Sequence, residues 1–366
     1  MNHSIFWLAA VTMLTGQPAG HVPAAITHLP SVEFHGKENG LFDSDDVFNM
    51  TIRGEIRPFL NDAGKVAKKF PMQLLVQGKE SDTVAMDVMV RQRGHFRRTR
   101  QICELPPVLI EFPKTGTHLS TIFKDQKKLK LVMPCVGDDY VVREWLVYKL
   151  YNLITPKSFR ARLVKVSLED SRNKKLTGPR FGILLEEEKQ MAARNKMISL
   201  SRSLRPQQTR REDFITMAVF EYLIGNTDWS VQYLQNIKLI AEDSTAMPVT
   251  VPYDFDHAGI VNAPYAKPAE ELLMSSVRQR RYRGLCEADL ETFDEIIKRF
   301  NDLKKDIYQL YGSCTLLSEK YLKSTIQYLD EFYRTINTPK LWRKDFAYPC
   351  DKNGTGNVVI KGLREE

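Results

Sequence analysis

The chain has 366 residues, more than twice the common domain size of about 100–150, which excludes a peptide, a small disulfide scaffold or a lone binding module. With 43% hydrophobic and 27% charged residues, 19 Gly and 18 Pro, it can bury a large core and is not wholly disordered. A net charge of +8 suits a partner that carries phosphate or carboxylate without identifying one.

Residues 1–20 read as a signal peptide, because Ile5 to Leu14 is apolar and is followed by Gly16, Pro18, Ala19 and Gly20. Its n-region lacks Lys and Arg, so a misplaced start codon or an N-terminal anchor stays open as an alternative. No later run approaches the roughly 18 apolar residues of a membrane span. The mature chain is therefore expected outside the cytoplasm, periplasmic or secreted, with no membrane span.

Short strands are predicted at 47–52 and 73–76, and the strongest at 84–91, where Val84, Met86, Val88 and Val90 share one face. Strands at 108–112 and 129–133 complete a mostly antiparallel sheet. Apolar residues at helical spacing predict a helix over 140–153, stopped by Thr155-Pro156 and laid on that sheet. Strands at 162–168 and 181–186 form a hairpin about Asn173-Lys174-Lys175. Residues 191–208 are polar and Arg-rich and read as a mobile connection, and Phe214 to Ile224 as a helix ended by Gly225. A second hairpin, 236–240 with 247–253, leads to an acidic cluster, and helices are predicted over 287–310 and 316–336. The order gives an α+β protein of two lobes: a β-rich N-lobe over 30–186, a mixed C-lobe over 187–345 and a tail over 346–366.

Five cysteines are too scattered for a CxxC metal site. Cys103 and Cys135 flank two neighbouring predicted strands and are the preferred disulfide pair, with two buried thiols as the alternative.

Asn226-Thr227-Asp228-Trp229 lies just past a helix, eight residues before Asn236, and Tyr253-Asp254-Phe255-Asp256-His257 comes after it across one hairpin. Phosphoryl transfer needs such a set: a carboxylate to orient the attacking hydroxyl, and an amide oxygen and a carboxylate to hold Mg²⁺ on nucleotide phosphates. These segments, with Arg91-Gln92-Arg93-Gly94 and Phe181 to Glu186, resemble the spore-coat CotH family of atypical secreted protein kinases, chiefly its uncharacterised exported bacterial relatives. The resemblance covers roughly residues 80–260. It implies a two-lobed kinase-like fold related to the HipA and lipid-kinase branch, with ATP between the lobes.

By position in that resemblance, Asp228 is the catalytic-loop carboxylate, and Asn236 and Asp254 bind the metal. Asp256 replaces the glycine of the DFG segment and is a second metal candidate. The Asp-to-Asn gap is eight residues, against five in the protein-kinase catalytic loop. No glycine-rich phosphate loop is present, and Arg93 to Arg97 is the candidate replacement. Lys130 is the candidate phosphate cation, since Leu129 and Leu131 face the other side of its strand, although Lys128 has the same parity. Glu144 on the next helix is its candidate partner, and Glu186 ends a strand where a kinase hinge meets adenine. Arginine-rich segments at 97–100, 202–211 and 278–283 read as solvated surface, which makes nucleic acid an unlikely partner; zinc is disfavoured because seven His form no HxH or HExxH. The expected activity is phosphate transfer to a hydroxyl of an exported protein or envelope substrate. The rivals are a catalytically silent kinase-like binding protein and a basic nucleic-acid-binding protein.

Overall fold

A computed structural model describes residues 40–64, 66–77, 82–94, 103, 105–285 and 291–346, all within the unit 36–366. The proposed signal segment and Arg97, Arg98 and Arg100 lie outside the described residues.

The first seven strands are β1 (Phe48–Gly54), β2 (Phe70–Gln77), β3 (Thr83–Gln92), β4 (Val108–Glu111), β5 (Lys128–Val132), β6 (Ala161–Asp170) and β7 (Leu176–Leu185). They close into a barrel in the order β1-β2-β3-β4-β5-β7-β6. The pairings are mostly antiparallel, as expected, and the barrel closes at one parallel seam, where β1 runs alongside β6 from Phe48 opposite Val164 to Gly54 opposite Asp170. Closure pairs the backbone groups that an open sheet would expose at its edges, a long-range gain that a local pattern does not report.

Period two along the strands makes two cores from one barrel. Met86, Val88 and Val90 point inward with Leu129, Leu131, Val164, Val166 and Leu184. Val132, Leu163, Ile183 and Leu185 point outward, into a second core shared with the rest of the chain. The long helix between β5 and β6, α2 (Asp138–Ile154), lies on this outer face and buries Val142, Leu146, Val147 and Leu150 there. A five-residue helix, α1 (Ile56–Leu60), comes directly after β1, and the Phe59 carbonyl accepts a 2.6 Å bond from Gln92 Nε2.

Residues 191–208 are not a mobile connection. They hold most of α3 (Glu188–Arg194) and all of β8 (Ile198–Leu200). Their order comes from polar contacts, which apolar periodicity cannot reveal: Arg194 bonds Glu186 and the Pro156 and Ser158 carbonyls. After α4 (Arg211–Ile224), strands β9 (Ile237–Ala241) and β10 (Val249–Pro252) join β8 in a sheet of order β10-β9-β8. The helix expected over 287–310 is interrupted at Leu303, giving α5 (Glu291–Asp302) and α6 (Lys304–Gly312). Then come α7 (Glu319–Ile336) and α8 (Pro339–Phe346). Phe346, assigned to the tail by sequence, is buried against Tyr222, Tyr282 and Phe293.

Cys103 and Cys135 form a disulfide with Cα atoms 4.2 Å apart, 32 residues apart in sequence. Replacing both with Ser is expected to remove about 3–4 kcal/mol, the loop-closure value for a ring of this size, and a denaturant titration checks it. No helix among the described residues is long and apolar enough to cross a membrane.

Candidate functional site

The site begins at the C-terminal end of α4. Gly225 takes a left-handed conformation at φ 69°, and its N–H and that of Asn226 return to the carbonyls of Tyr222 and Glu221. The chain is thereby turned out of the helix. Asn226 Oδ1 then accepts the Asp228 N–H at 3.0 Å.

Asp228 gathers the next turn of chain around its carboxylate. Its Oδ1 accepts Gln235 Nε2 at 2.5 Å and its Oδ2 accepts Asn236 Nδ2 at 3.1 Å. The same Asn236 nitrogen reaches the Asp228 carbonyl at 2.7 Å. Between them, Ser230 and Gln235 pair as a two-residue antiparallel bridge, with Leu234 and Asn236 both at positive φ. The long Asp-to-Asn interval is therefore a closed loop that returns Asn236 to Asp228. Because the Asn236 amide nitrogen is committed to Asp228, its Oδ1 is the atom that could serve a cation.

From Asn236, β9 and β10 carry the chain to the acidic segment, where the Tyr253 N–H bonds the Asn236 carbonyl at 3.0 Å. Asp254 has φ 64°, and its N–H donates to the hydroxyl of Tyr148 on α2 at 2.9 Å. Phe255 is buried against Tyr148 and Phe220, ring centroids 4.8 and 5.6 Å apart. Asp256 is buried, with Oδ2 accepting the Tyr265 hydroxyl at 3.0 Å. Of the two carboxylates proposed from sequence for a metal, Asp254 is the more exposed; Asp256 already holds a donor.

Lys130 emerges from the outer face of the barrel, in register with Leu109 and Leu185, while Leu129 and Leu131 enter the barrel core. Lys128 is exposed and acts electrostatically on Glu111. Lys130 Nζ lies 5.2 Å from the Tyr253 ring centre, and Lys238 Nζ approaches the same ring at 5.7 Å. Burial lowers the Lys130 pKa to about 8, with Arg93 and Lys238 repelling its charge and Glu188 and Asp254 attracting it. Arg93, just past β3, is thus within electrostatic reach of Lys130. Glu144, its expected partner, is buried on α2, and Glu188 and Asp254 are carboxylates whose charge attracts Lys130. Glu188 itself pairs with Lys238 at 3.1 Å and accepts the Ser199 hydroxyl.

Glu186 is fully buried and accepts Arg160 Nε at 3.1 Å and Arg194 Nη2 at 3.0 Å. Its own N–H bonds the Arg160 carbonyl. Its carboxylate is thus an ion-pair hub at the link between barrel and α3.

The arginines at 278–283 overturn the solvated-surface reading. Arg283 is 4% exposed and donates to the Thr227 and Trp229 carbonyls at 2.5 and 2.7 Å, holding the loop around Asp228 from below. Arg278 and Arg280 bond the Gly259 and Leu223 carbonyls at 3.1 and 3.2 Å. Elsewhere Arg210 pairs with Glu242 at 2.6 Å.

Burial pushes the Asp228 carboxyl above its ordinary range; Asp256 and Asp254 add to the shift, while His257 and Arg283 oppose it. Burial likewise lowers Arg283 to about 10. Glu221, one turn below Asn226 on α4, is held well above the ordinary carboxylate range by burial, with Asp228 reinforcing and Asn226 and Arg283 opposing.

Among the described residues, no three His, Cys, Asp or Glu side chains form a metal centre. Magnesium on a nucleotide has a different requirement, one or two carboxylates plus phosphate oxygens and water. The Asn236 amide oxygen and the Asp254 carboxylate are hard donors of that kind.

Lys238 is open to the argument that selects Lys130, since it alternates with Ile237 and Leu239 on its strand. Tyr148, Glu188 and Arg283 carry no such signal, because their partners come from distant elements, and Gln235 reaches Asp228 only through the turn of the loop between them. These placements rest on geometry and motif order alone, since no family model matches the chain and no curated protein matches it.

Proposed function

We propose that the protein is a phosphotransferase that uses ATP with Mg²⁺ and delivers phosphate to a hydroxyl of an exported protein or another extracytoplasmic molecule. The observation that carries this reading is the Asp228–Asn236 pair set beside Asp254, Lys130 and Lys238. In it, Asp228 orients the acceptor hydroxyl and receives its proton. Asn236 Oδ1 and Asp254 would hold the magnesium, which supplies charge neutralisation at the phosphates. Lys130, Lys238 and Arg93 bind those phosphates in an environment partly shielded from water. In this reading the barrel with α2 corresponds to one lobe of a kinase-like fold, and the part from α3 onward to the other; the barrel interior is a core of its own, while α2 packs into the core of the second part. The disulfide suits an oxidising compartment.

Calorimetric titration with ATP and Mg²⁺ tests the reading. Wild type is expected to bind and Asp254→Ala to lose metal-dependent binding with its fold intact. Unchanged affinity in both Asp254→Ala and Asp256→Ala would refute the assignment.

The Lys130 environment adds a pH dependence. The ammonium is present below pH 8 and lost above it, so ATP affinity should begin to fall as pH rises through about 8. Lys130→Arg should flatten that bend, because a guanidinium stays charged; a bend unchanged by Lys130→Arg would assign it to another group.

A catalytically silent, nucleotide-binding reading is favoured by one observation. Active protein kinases fix the phosphate-binding lysine with a glutamate on the adjoining helix, whereas the carboxylates that act on Lys130 come from Glu188 and Asp254. Turnover separates the two readings: binding without transfer to any hydroxyl would support the silent one.

A further inference from the structure

An open cavity of about 460 Å³ lies where β6 begins and β7 ends, within the range of about 300–1,000 Å³ in which small-molecule sites fall. It is lined by Arg160 and Glu186, with Phe42, Asp43, Asp125 and Gln126 from loops. Alternation places it at the mouth of the barrel. Leu184 enters the barrel core and Leu185 the outer one, so Glu186 continues on the inner side. On β6, Val164 is inward and Leu163 outward, which puts Arg160 on the inner side as well. The Glu186 N–H carries the β6–β7 ladder one step further, to the Arg160 carbonyl. Lys130 stands on the outer face, so the cavity and the proposed phosphate cations are on opposite sides of the sheet.

The charged groups around it are already paired. Arg160 donates to Asp43 and to Glu186, each at 3.1 Å, and Arg194 reaches Glu186 at 3.0 Å. With Lys124 also on the wall, Lys124, Arg160 and Arg194 balance Asp43, Asp125 and Glu186, so the surroundings are neutral overall. A charged ligand would have to compete with these pairs. What the wall offers instead is acceptors and a ring. Gln126 is 5% exposed, and its Oε1 is buried with no hydrogen-bond partner, which costs free energy until a donor arrives. The terminal torsion of a glutamine is broad, so the amide can turn either end to the cavity. Asp125, exposed at the rim, adds carboxylate oxygens. Phe42 is half-buried, with the Arg160 guanidinium 5.6 Å from its ring centre. We infer that this cavity binds a neutral saccharide unit, whose hydroxyls donate to Gln126 and Asp125 while its C–H face rests on Phe42. The site is independent of phosphotransfer.

Calorimetric titration of the full chain with glucose, galactose, mannose and N-acetylglucosamine tests it, each repeated in saturating ATP and Mg²⁺. At least one sugar is expected to bind saturably, with or without nucleotide. Gln126→Leu keeps about the size of the side chain and removes its amide, and should weaken that binding about tenfold. Asp125→Ala, on the exposed rim where folding is not at stake, should weaken it as well. Methyl glycosides of the bound sugar separate two sources: retained binding marks the end of a glycan chain and lost binding a free sugar, and either supports the site. Binding of no sugar overturns it, as does wild-type affinity in both variants. Preference for spermidine or citrate over every sugar overturns the ligand class. Displacement of the sugar by ATP would make the cavity part of the nucleotide site and overturn it too. Sugar binding without any ATP binding would support this site and remove the phosphotransferase reading alone.

Discussion

Asp228→Asn is expected to keep its affinity for ATP and to lose about two to four decades of turnover, the range of general acid–base catalysis. The substitution keeps the shape of the side chain and removes its capacity to take a proton. It also changes the local bonding in a foreseeable way. Asp228 accepts from two amide nitrogens, those of Gln235 and Asn236. An asparagine offers one acceptor and one donor, so one of the two neighbours must face a like group. The loss should therefore concentrate in kcat, where the carboxylate acts, with a smaller effect on the loop that returns Asn236. Calorimetry and steady-state rates measured on the same preparation separate the two. A variant as active as wild type would make Asp228 a loop-closing residue and withdraw its catalytic role. Asn236→Ala offers a contrast, since it removes both the oxygen proposed to hold the metal and the donor to Asp228. Affinity should fall there too.

Much of this site is legible in the chain of residues itself, and the reasons differ by residue. Lys130 can be assigned because alternation along a strand is a strict geometric rule, and Leu129 and Leu131 occupy the expected opposite face. Gly225 can be placed because a helix needs a left-handed residue to end this way. Asp228, Asn236 and Asp254 are proposed from their order in the chain, and the loop between the first two returns Asn236 to Asp228. Other features are invisible for physical reasons. Closure of the barrel depends on β1 meeting β6 across more than a hundred residues, and nothing local encodes that partner. Segment 191–208 lacks an apolar stripe because its helix is held by ionic contacts among Arg194, Glu186 and Arg160. Arg283 hides in a run of arginines that resembles a solvated face; its burial is offset by hydrogen bonds it donates to two loop carbonyls and by the charges of Asp228 and Glu221.

The loop that carries Asp228 is also fixed from behind, and Gly225→Ala should expose how. A Cβ at Gly225 would lie 2.0 Å from the hydroxyl oxygen of Tyr328 on α7 and 3.3 Å from its Cζ. Left-handed backbone adds about 1–2 kcal/mol for a residue with a Cβ, and overpacking typically another 1–3, so a loss of about 2–5 kcal/mol is expected. The ring of Tyr328 cannot easily retreat, because the guanidiniums of Arg278 and Arg280 lie 4.1 and 3.5 Å from its centre. Its buried hydroxyl has no hydrogen-bond partner, so Tyr328→Phe alone should be nearly neutral. In that background Gly225→Ala should cost only the backbone strain, giving a coupling of about 1–3 kcal/mol in a double-mutant cycle read by denaturant unfolding. Gly259 supplies the control. A Cβ there would meet the Val277 carbonyl oxygen at 2.2 Å as well as the Tyr328 hydroxyl at 2.8 Å, so Gly259→Ala should stay costly whether or not the hydroxyl is present. Additive losses at Gly225 would show that the hydroxyl does not impose the glycine. Coupled losses, with activity falling in step, would place Tyr328 as the wedge that sets where α4 ends and the Asp228 loop begins.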